Sequence, residues 1–323
     1  MEDAKILQQG YDIRLISSYR TRSGLVCRTD RGLLELKKTF FDDSALETEE
    51  ALREYLFERG FRGTERIVRT SDNLPAYRVD ENAYILVKYS AGTSLDTENI
   101  NDLKFAAGGL AFFHNAAEGF SHENLRKNSV VSEEVYKRRY RELSAIRKRI
   151  TKFGEYSPVD RIVMEYCGYY LERINHAAEL LKKADCERLL LEADKKQSIC
   201  HNAFKGENIM RGENGNALVS GLAGCTADMS IADLSVILRK YIKNTSADEK
   251  GIISIIGAYD EVRSVNSEEM GVIKGMLVYP YKFLKLCSEH YNKRRVCISE
   301  AAVERFMRCT ERREKEDILA ESL

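Results

Sequence analysis

His201-Asn202-Ala203-Phe204-Lys205-Gly206-Glu207-Asn208 interrupts an otherwise helical half of the chain, and the reading of the whole turns on it. Short apolar pieces flank it, 198–201 before and 209–211 and 217–220 after, each too short for a helix and bounded by Gly and Asn. Upstream, 100–117 carries Leu103, Ala106, Ala107, Leu110 and Phe113 at helical spacing. Helices are also expected over 133–153 and 158–184, the latter with Pro158 in its first turn. Downstream, 232–243, 246–262, 267–294 and the segment from Ser299 read as helices. The first ninety residues differ. Strands fit 11–18, 25–29 and 33–38, with Asp30-Arg31-Gly32 as a hairpin turn. A helix is expected from a Ser44 cap to about Arg59, with Glu47 at the capping-box position and Gly60 as its stop. Strands at 66–69, 76–79 and 83–88 follow. The sum is an α+β chain, with an N-terminal antiparallel sheet carrying one helix (1–90) and a larger, mostly helical part (91–323) that holds the loop 201–208 and a second loop at 219–224.

Composition narrows the function classes. Lys plus Arg and Asp plus Glu both number 51 among 323 residues, so global charge gives no case for nucleic acid or an acidic membrane as partner. No run approaches the ~18 apolar residues of a membrane span, and the N-terminus has no basic-then-apolar leader pattern, so synthesis in the cytoplasm is expected. Eight cysteines (Cys27, Cys167, Cys186, Cys200, Cys225, Cys287, Cys297, Cys309) lack C-x-x-C or metal-type spacing and read as free thiols.

The chemistry rests on spacing around the opening motif. Kinase catalytic loops read H-x-D-x-x-x-x-N, the Asp taking the proton of the acceptor hydroxyl and the Asn holding magnesium. His201 and Asn208 keep that spacing, but the base position is Ala203. A methyl group accepts no proton. In aminoglycoside phosphotransferase-like enzymes a second metal-binding Asp stands about twenty residues after the histidine. Here that position is Gly221, in Leu218-Val219-Ser220-Gly221-Leu222-Ala223-Gly224, and Ala223 beyond it is also neutral.

Four further stretches carry a family resemblance. They are Leu110-Ala111-Phe112-Phe113-His114-Asn115-Ala116-Ala117-Glu118-Gly119-Phe120, Cys225-Thr226-Ala227-Asp228-Met229-Ser230-Ile231-Ala232-Asp233-Leu234, Tyr279-Pro280-Tyr281-Lys282-Phe283, and His290-Tyr291-Asn292-Lys293-Arg294-Arg295. Together with the loop they resemble, nearly end to end, the CotS-type spore coat proteins, a branch of the aminoglycoside/choline kinase-like superfamily. The resemblance implies a bilobal protein-kinase-like fold and a place in the spore coat after synthesis in the mother cell. Members with the intact motif are expected to carry Asp where Ala203 and Gly221 stand.

The nucleotide cleft that this resemblance implies would draw on Lys37 as the strand lysine and Glu49 or Glu50 as its helix partner. Gly24 would be the phosphate-covering loop, and Lys88 and Tyr89 the adenine-facing linker. Asp228 and Asp233 are expected to tie down the loop and cap the next helix. With both carboxylates gone, the leading expectation is a pseudokinase without a cofactor. The alternatives are a phosphotransferase using ATP and magnesium with a non-standard base, Glu207 or Asp228 compensating, or an ATP-binding sensor. Lys137, Arg138, Arg139, Arg141, Arg147, Lys148 and Arg149, against one acid, Glu142, mark a basic helix suited to docking other coat proteins; neither nucleic acid nor membrane is expected as a partner.

Overall fold

The structure is a computed structural model, and it describes residues 2–21, 23–127, 131–154, 156–292 and 300–323. The chain begins with α1 (Glu2–Tyr11), β1 (Leu15–Arg20), β2 (Leu25–Thr29), β3 (Gly32–Thr39), α2 (Asp43–Glu58), β4 (Ile67–Val68), β5 (Tyr77–Val79), β6 (Asn82–Lys88) and β7 (Gly92–Ser94). Then come α3 (Ile100–Ala117), α4 (Glu133–Phe153), α5 (Pro158–Lys183), α6 (Cys186–Lys195), β8 (Ile199–Cys200), β9 (Ile209–Gly212), β10 (Ala217–Val219) and β11 (Thr226–Ala227). The remainder is helical: α7 (Ile231–Ile242), α8 (Glu249–Asp260), α9 (Ser267–Val278), α10 (Tyr281–Tyr291), α11 (Glu300–Glu311) and α12 (Arg313–Glu321).

The chain divides into two compact units that are discontinuous in sequence. One comprises 1–128, 193–233 and 255–264, the other 129–192, 234–254 and 265–323. Reading by residue order places a single boundary near 90. Just past that point β7 pairs with β9 from the second half of the chain, Thr93 opposite Arg211.

In the first unit an antiparallel sheet runs β1-β2-β3-β6-β4, with β5 also on β6. Period-two alternation gives the sheet two different faces. Leu25, Cys27, Leu34, Leu36 and Leu86 point one way and pack with Ile6, Leu7 and Tyr11 of α1. On the other face Ile85 and Val87 pack with Leu46 of α2 and with Ala223. Glu35 and Lys37 alternate with those leucines and stand opposite Val87 and Ile85 in the β3–β6 register, which puts both charges on the second face. Two small sheets, β10-β9-β7 and β11-β8, bracket the loop that joins β8 to β9.

The second unit is helical. Its α4 pairs with α5, and α5 with α9. Tyr136 stacks on Tyr279 at 3.9 Å, and Tyr170 on Phe283 at 3.8 Å. Ser157 and Asp160 form the reciprocal capping box that starts α5 ahead of Pro158.

Four expectations need correction. The expected first strand starts too early, because 2–11 is a helix, and Tyr11 ends it with its side chain buried. The cap of α2 is Asp42, which accepts the Ala45 N–H at 2.9 Å; Ser44 instead bonds the Asp42 carboxylate. The helix expected over 267–294 breaks at Pro280. Proline supplies no N–H and drives the residue before it out of the helical region, and Tyr279 is extended at ψ 124°. A short helix, α6, fills a stretch for which no element was expected. Lys293, Arg294 and Arg295 of the last signature lie outside the described residues, as does the expected helix start at Ser299.

Candidate functional site

All the loop residues singled out from sequence fall in the first unit and are held together by one buried carboxylate. Asp233, in the first turn of α7, accepts the His201 N–H at 2.6 Å and the His114 Nε2 hydrogen at 2.9 Å on Oδ2. Its Oδ1 accepts the Asn202 N–H at 2.8 Å. Burial alone would raise this carboxyl, but the hydrogen bonds and the two histidines hold it below the ordinary carboxylate range. His114 is in turn bonded through Nδ1 to the Tyr259 hydroxyl at 2.8 Å. Asn202 takes the left-handed conformation, φ 60°, which turns the chain sharply so that consecutive N–H groups meet one carboxylate.

His201 closes the loop from the other side. It is fully buried and its Nε2 hydrogen goes to the Ser220 carbonyl at 2.8 Å, so Nδ1 is the bare nitrogen and has no partner. Burial keeps the ring neutral by lowering its pKa.

Across the loop the Asn208 amide donates to the Ala203 carbonyl at 2.7 Å, and the Ser220 N–H donates to the Asn208 carbonyl at 2.9 Å. Gly221 adjoins them: a Cβ placed on it would lie 3.1 Å from Asn208 Nδ2. Its backbone is left-handed, φ 77° and ψ 35°, a region where Asp and Asn are several-fold enriched among residues with a side chain. The frame that would carry a metal pair is therefore in register, Asn208 beside position 221 and Ala203 at the base position, with neither acid present. Asp228 is buried, accepts the N–H of its neighbour Met229 at 2.7 Å, and donates its own N–H to the Ser198 carbonyl. Among the described residues no three His, Cys, Asp or Glu side chains gather as a metal set.

The sheet face above carries a second constellation that sequence reading found only in part. Lys37 is paired not with Glu49 or Glu50 but with Glu35, two residues before it on β3, at 3.1 Å, and with Glu65 at 3.7 Å. Glu49 instead binds Arg53 one helical turn on, at 2.5 Å, and Arg53 reaches the Glu65 carboxylate at 3.3 Å and its carbonyl at 2.6 Å. Burial opposes the Arg53 charge, but Glu49 and Glu65 outweigh it and raise its pKa. Glu50 pairs with Arg69 on the surface at 2.6 Å. The result is a buried chain of five charges: Glu35, Lys37, Glu65, Arg53, Glu49.

Glu35 also pins the loop between β1 and β2. Its Oε1 accepts the Ser23 hydroxyl at 2.5 Å, and Thr21 and Gly24 bond to each other through side chain and backbone. Gly24 is required there because a Cβ would meet the Leu36 carbonyl at 2.6 Å. Arg22, its neighbour in the expected phosphate loop, lies outside the described residues. In the linker, the N–H groups of Lys88 and Tyr89 are already spent on the Arg66 and Leu33 carbonyls.

Magnesium and ATP are the groups this fold implies, and of the side chains that would hold magnesium in this frame only Asn208 is present. The Asn208 amide nitrogen donates to the Ala203 carbonyl, which leaves its oxygen to face a metal alone, since position 221 offers no side-chain oxygen; Glu35 sets a carboxylate beside Lys37.

The described architecture is that of the small-molecule kinases. It superposes on an aminoglycoside phosphotransferase from Alicyclobacillus acidocaldarius with a TM-score of 0.82 at 16% identity, covering 97% of this chain and 92% of that one. A spectinomycin phosphotransferase solved with ADP and spectinomycin follows at TM-score 0.63 and 12% identity, covering 100% and 98%. An amicoumacin kinase solved with AMP-PNP and Ca2+ gives 0.59 and 14%, covering 98% and 93%. At these identities the likeness establishes the fold. No curated protein sequence matches the chain. Residues 4–322 match the family described as "Spore coat putative kinase YutH", and the chain belongs to that family. The fold and family expected from the motifs are thus those found. Among the described residues no helix is long and apolar enough to cross a membrane.

Proposed function

We propose that this protein is a catalytically inactive member of its family, a spore coat component that works through protein–protein contacts and needs no nucleotide. The observation that carries the reading is the pair Ala203 and Gly221 set beside Asn208 in a loop that Asp233 and Asn208 brace through the backbone at 201–203. A positioned base is worth roughly 10²–10⁴ in rate, and phosphoryl transfer depends almost wholly on metal and positioning. Lacking both acids, the loop has neither means. The pairing of Lys37 with Glu35 and Glu65 supports the same conclusion for binding. Relatives in fold are solved with ADP or AMP-PNP; here Lys37 faces two carboxylates where one helix partner was expected, and the additional negative charge disfavours a triphosphate beside it.

The contact surface proposed is the exposed side of α4. Lys137 is paired with Glu133, Arg139 with Glu142, and Arg149 leans on the Tyr291 ring and carbonyl. Arg138, Arg141 and Lys148 recur at helical spacing, are exposed, and form no ion pair among the described residues. A stripe of uncompensated charge steers an acidic partner. Synthesis in the mother-cell cytoplasm and assembly into the coat complete the proposal.

Thermal denaturation with ATP, with and without magnesium, tests it. A ligand at a hundredfold excess over its Kd stabilises the folded state by about 2.7 kcal/mol. No shift at millimolar ATP is expected. A magnesium-dependent shift accompanied by ATP turnover would defeat the reading. The joint substitution Ala203→Asp with Gly221→Asp asks whether the two positions alone account for the loss.

A further inference from the structure

The helical unit carries a half-open pocket of about 70 Å³ lined by α5, α7, the α9–α10 junction and α12. A buried water needs roughly 10–15 Å³, so there is room for several waters or one small polyatomic ion. None of its lining residues belongs to the loop 201–208 or to the charged sheet face. Arg239 forms part of the wall. Its Nη2 donates to the Met276 carbonyl, its Nε is buried without a partner, and it lies 5.5 Å from the Tyr281 ring centre.

Lys243, just past the C-terminal end of α7, and Lys282, in the first turn of α10, line the same space. Among the described residues no carboxylate lies within 4.0 Å of any of these three cations. The two acids in the lining do not supply the missing charge. Asp317 is held by the Tyr169 hydroxyl and by Arg173 at 3.1 Å. Glu316 stays beyond ion-pair distance of all three, and burial raises its carboxyl above the ordinary range. Partial burial, then the Lys282 and Arg239 charges, depress the Lys243 ammonium against the pull of Glu316.

Three cations border a pocket walled by Tyr170, Phe283 and Val278, and an anion held among them would offset their mutual repulsion. A guanidinium with free N–H groups flanked by two ammonium ions suits a tetrahedral oxyanion, the Arg as a directional donor and the lysines as point charges. We propose that this cavity is a binding site for a phosphate group, supplied as free phosphate or as a phosphomonoester whose organic part lies against Tyr281.

Phosphorus NMR of the full chain at fixed ionic strength tests the proposal, using inorganic phosphate and phenyl phosphate as probes. Saturable line broadening with Kd below about 1 mM is expected, weakened at least tenfold in Lys243→Gln with Lys282→Gln. Both lysines reach solvent, so circular dichroism of that variant should match the parent; Arg239→Met is the second, more buried test. Tighter binding of phenyl phosphate assigns a monoester, and equal binding assigns free phosphate. Broadening that never saturates, or is unchanged in the double lysine variant, overturns the proposal.

Discussion

Replacing Lys37 by Met separates a structural lysine from a nucleotide-binding one. The stem keeps its packing while the ammonium is lost, leaving Glu35 and Glu65 (side chains 3% and 2% exposed) without their cation. Breaking a buried pair by removing one partner costs roughly 3–5 kcal/mol. Lys37 is itself 14% exposed, and Ser23 and Arg53 still hold the two acids, which brings the expected loss to about 2–4 kcal/mol. For a unit of this size each kcal/mol moves the midpoint by about 2–4 °C, so Tm should fall by roughly 5–15 °C without nucleotide present. Adding Glu35→Gln should restore part of it, because the second change removes the stranded charge; the double-mutant cycle gives the coupling directly. Differential scanning calorimetry with urea titration is the assay. A Lys37→Met protein as stable as its parent, which has lost binding to ATP that the parent displays, would refute the assignment of Lys37 to the ion-pair chain.

Three further outcomes follow from the same geometry. Asp233→Asn should destabilise by about 2–4 kcal/mol in urea, because an amide cannot accept three hydrogen bonds from buried donors; a loss under about 1 kcal/mol contradicts the clamp. His201 has a depressed pKa when folded, so below pH ~6.5 the unfolded chain takes up its proton more readily, and the stability given by the neutral ring is full above that pH and lost as pH falls. Urea midpoints of the parent should therefore drop more steeply from pH 7 to 5 than those of His201→Gln. Charge reversal of Arg138, Arg141 and Lys148 together should leave Tm unchanged while reducing incorporation into spore coats, read by immunoblot of coat extracts.

How far the sequence revealed this depended on the range of each interaction. The loop register was legible because His201 and Asn208 are local and the missing acids lie at fixed offsets from them. The i,i+4 spacing of Glu49 and Arg53 could have exposed their pairing, and the two-residue spacing of Glu35 and Lys37 placed both on one strand face. Neither signal named Glu65, a loop residue brought in only by the fold. The α1 helix escaped notice because ten residues span too few turns to repeat a pattern, and what holds it is Ile6, Leu7 and Tyr11 buried against the sheet, a contact made only in the fold. The break at Pro280 was visible and overridden by the apolar spacing around it.

The Asp233 clamp has a consequence for how such a protein changes over generations. Two of its three grips are on backbone N–H groups, which every residue except proline provides, so its hold on the loop is indifferent to the side chain at 203. The groups that once could have served reaction and those that serve shape are thus different atoms. Mutation can erase the first without disturbing the second, and selection on the fold alone is blind to the erasure.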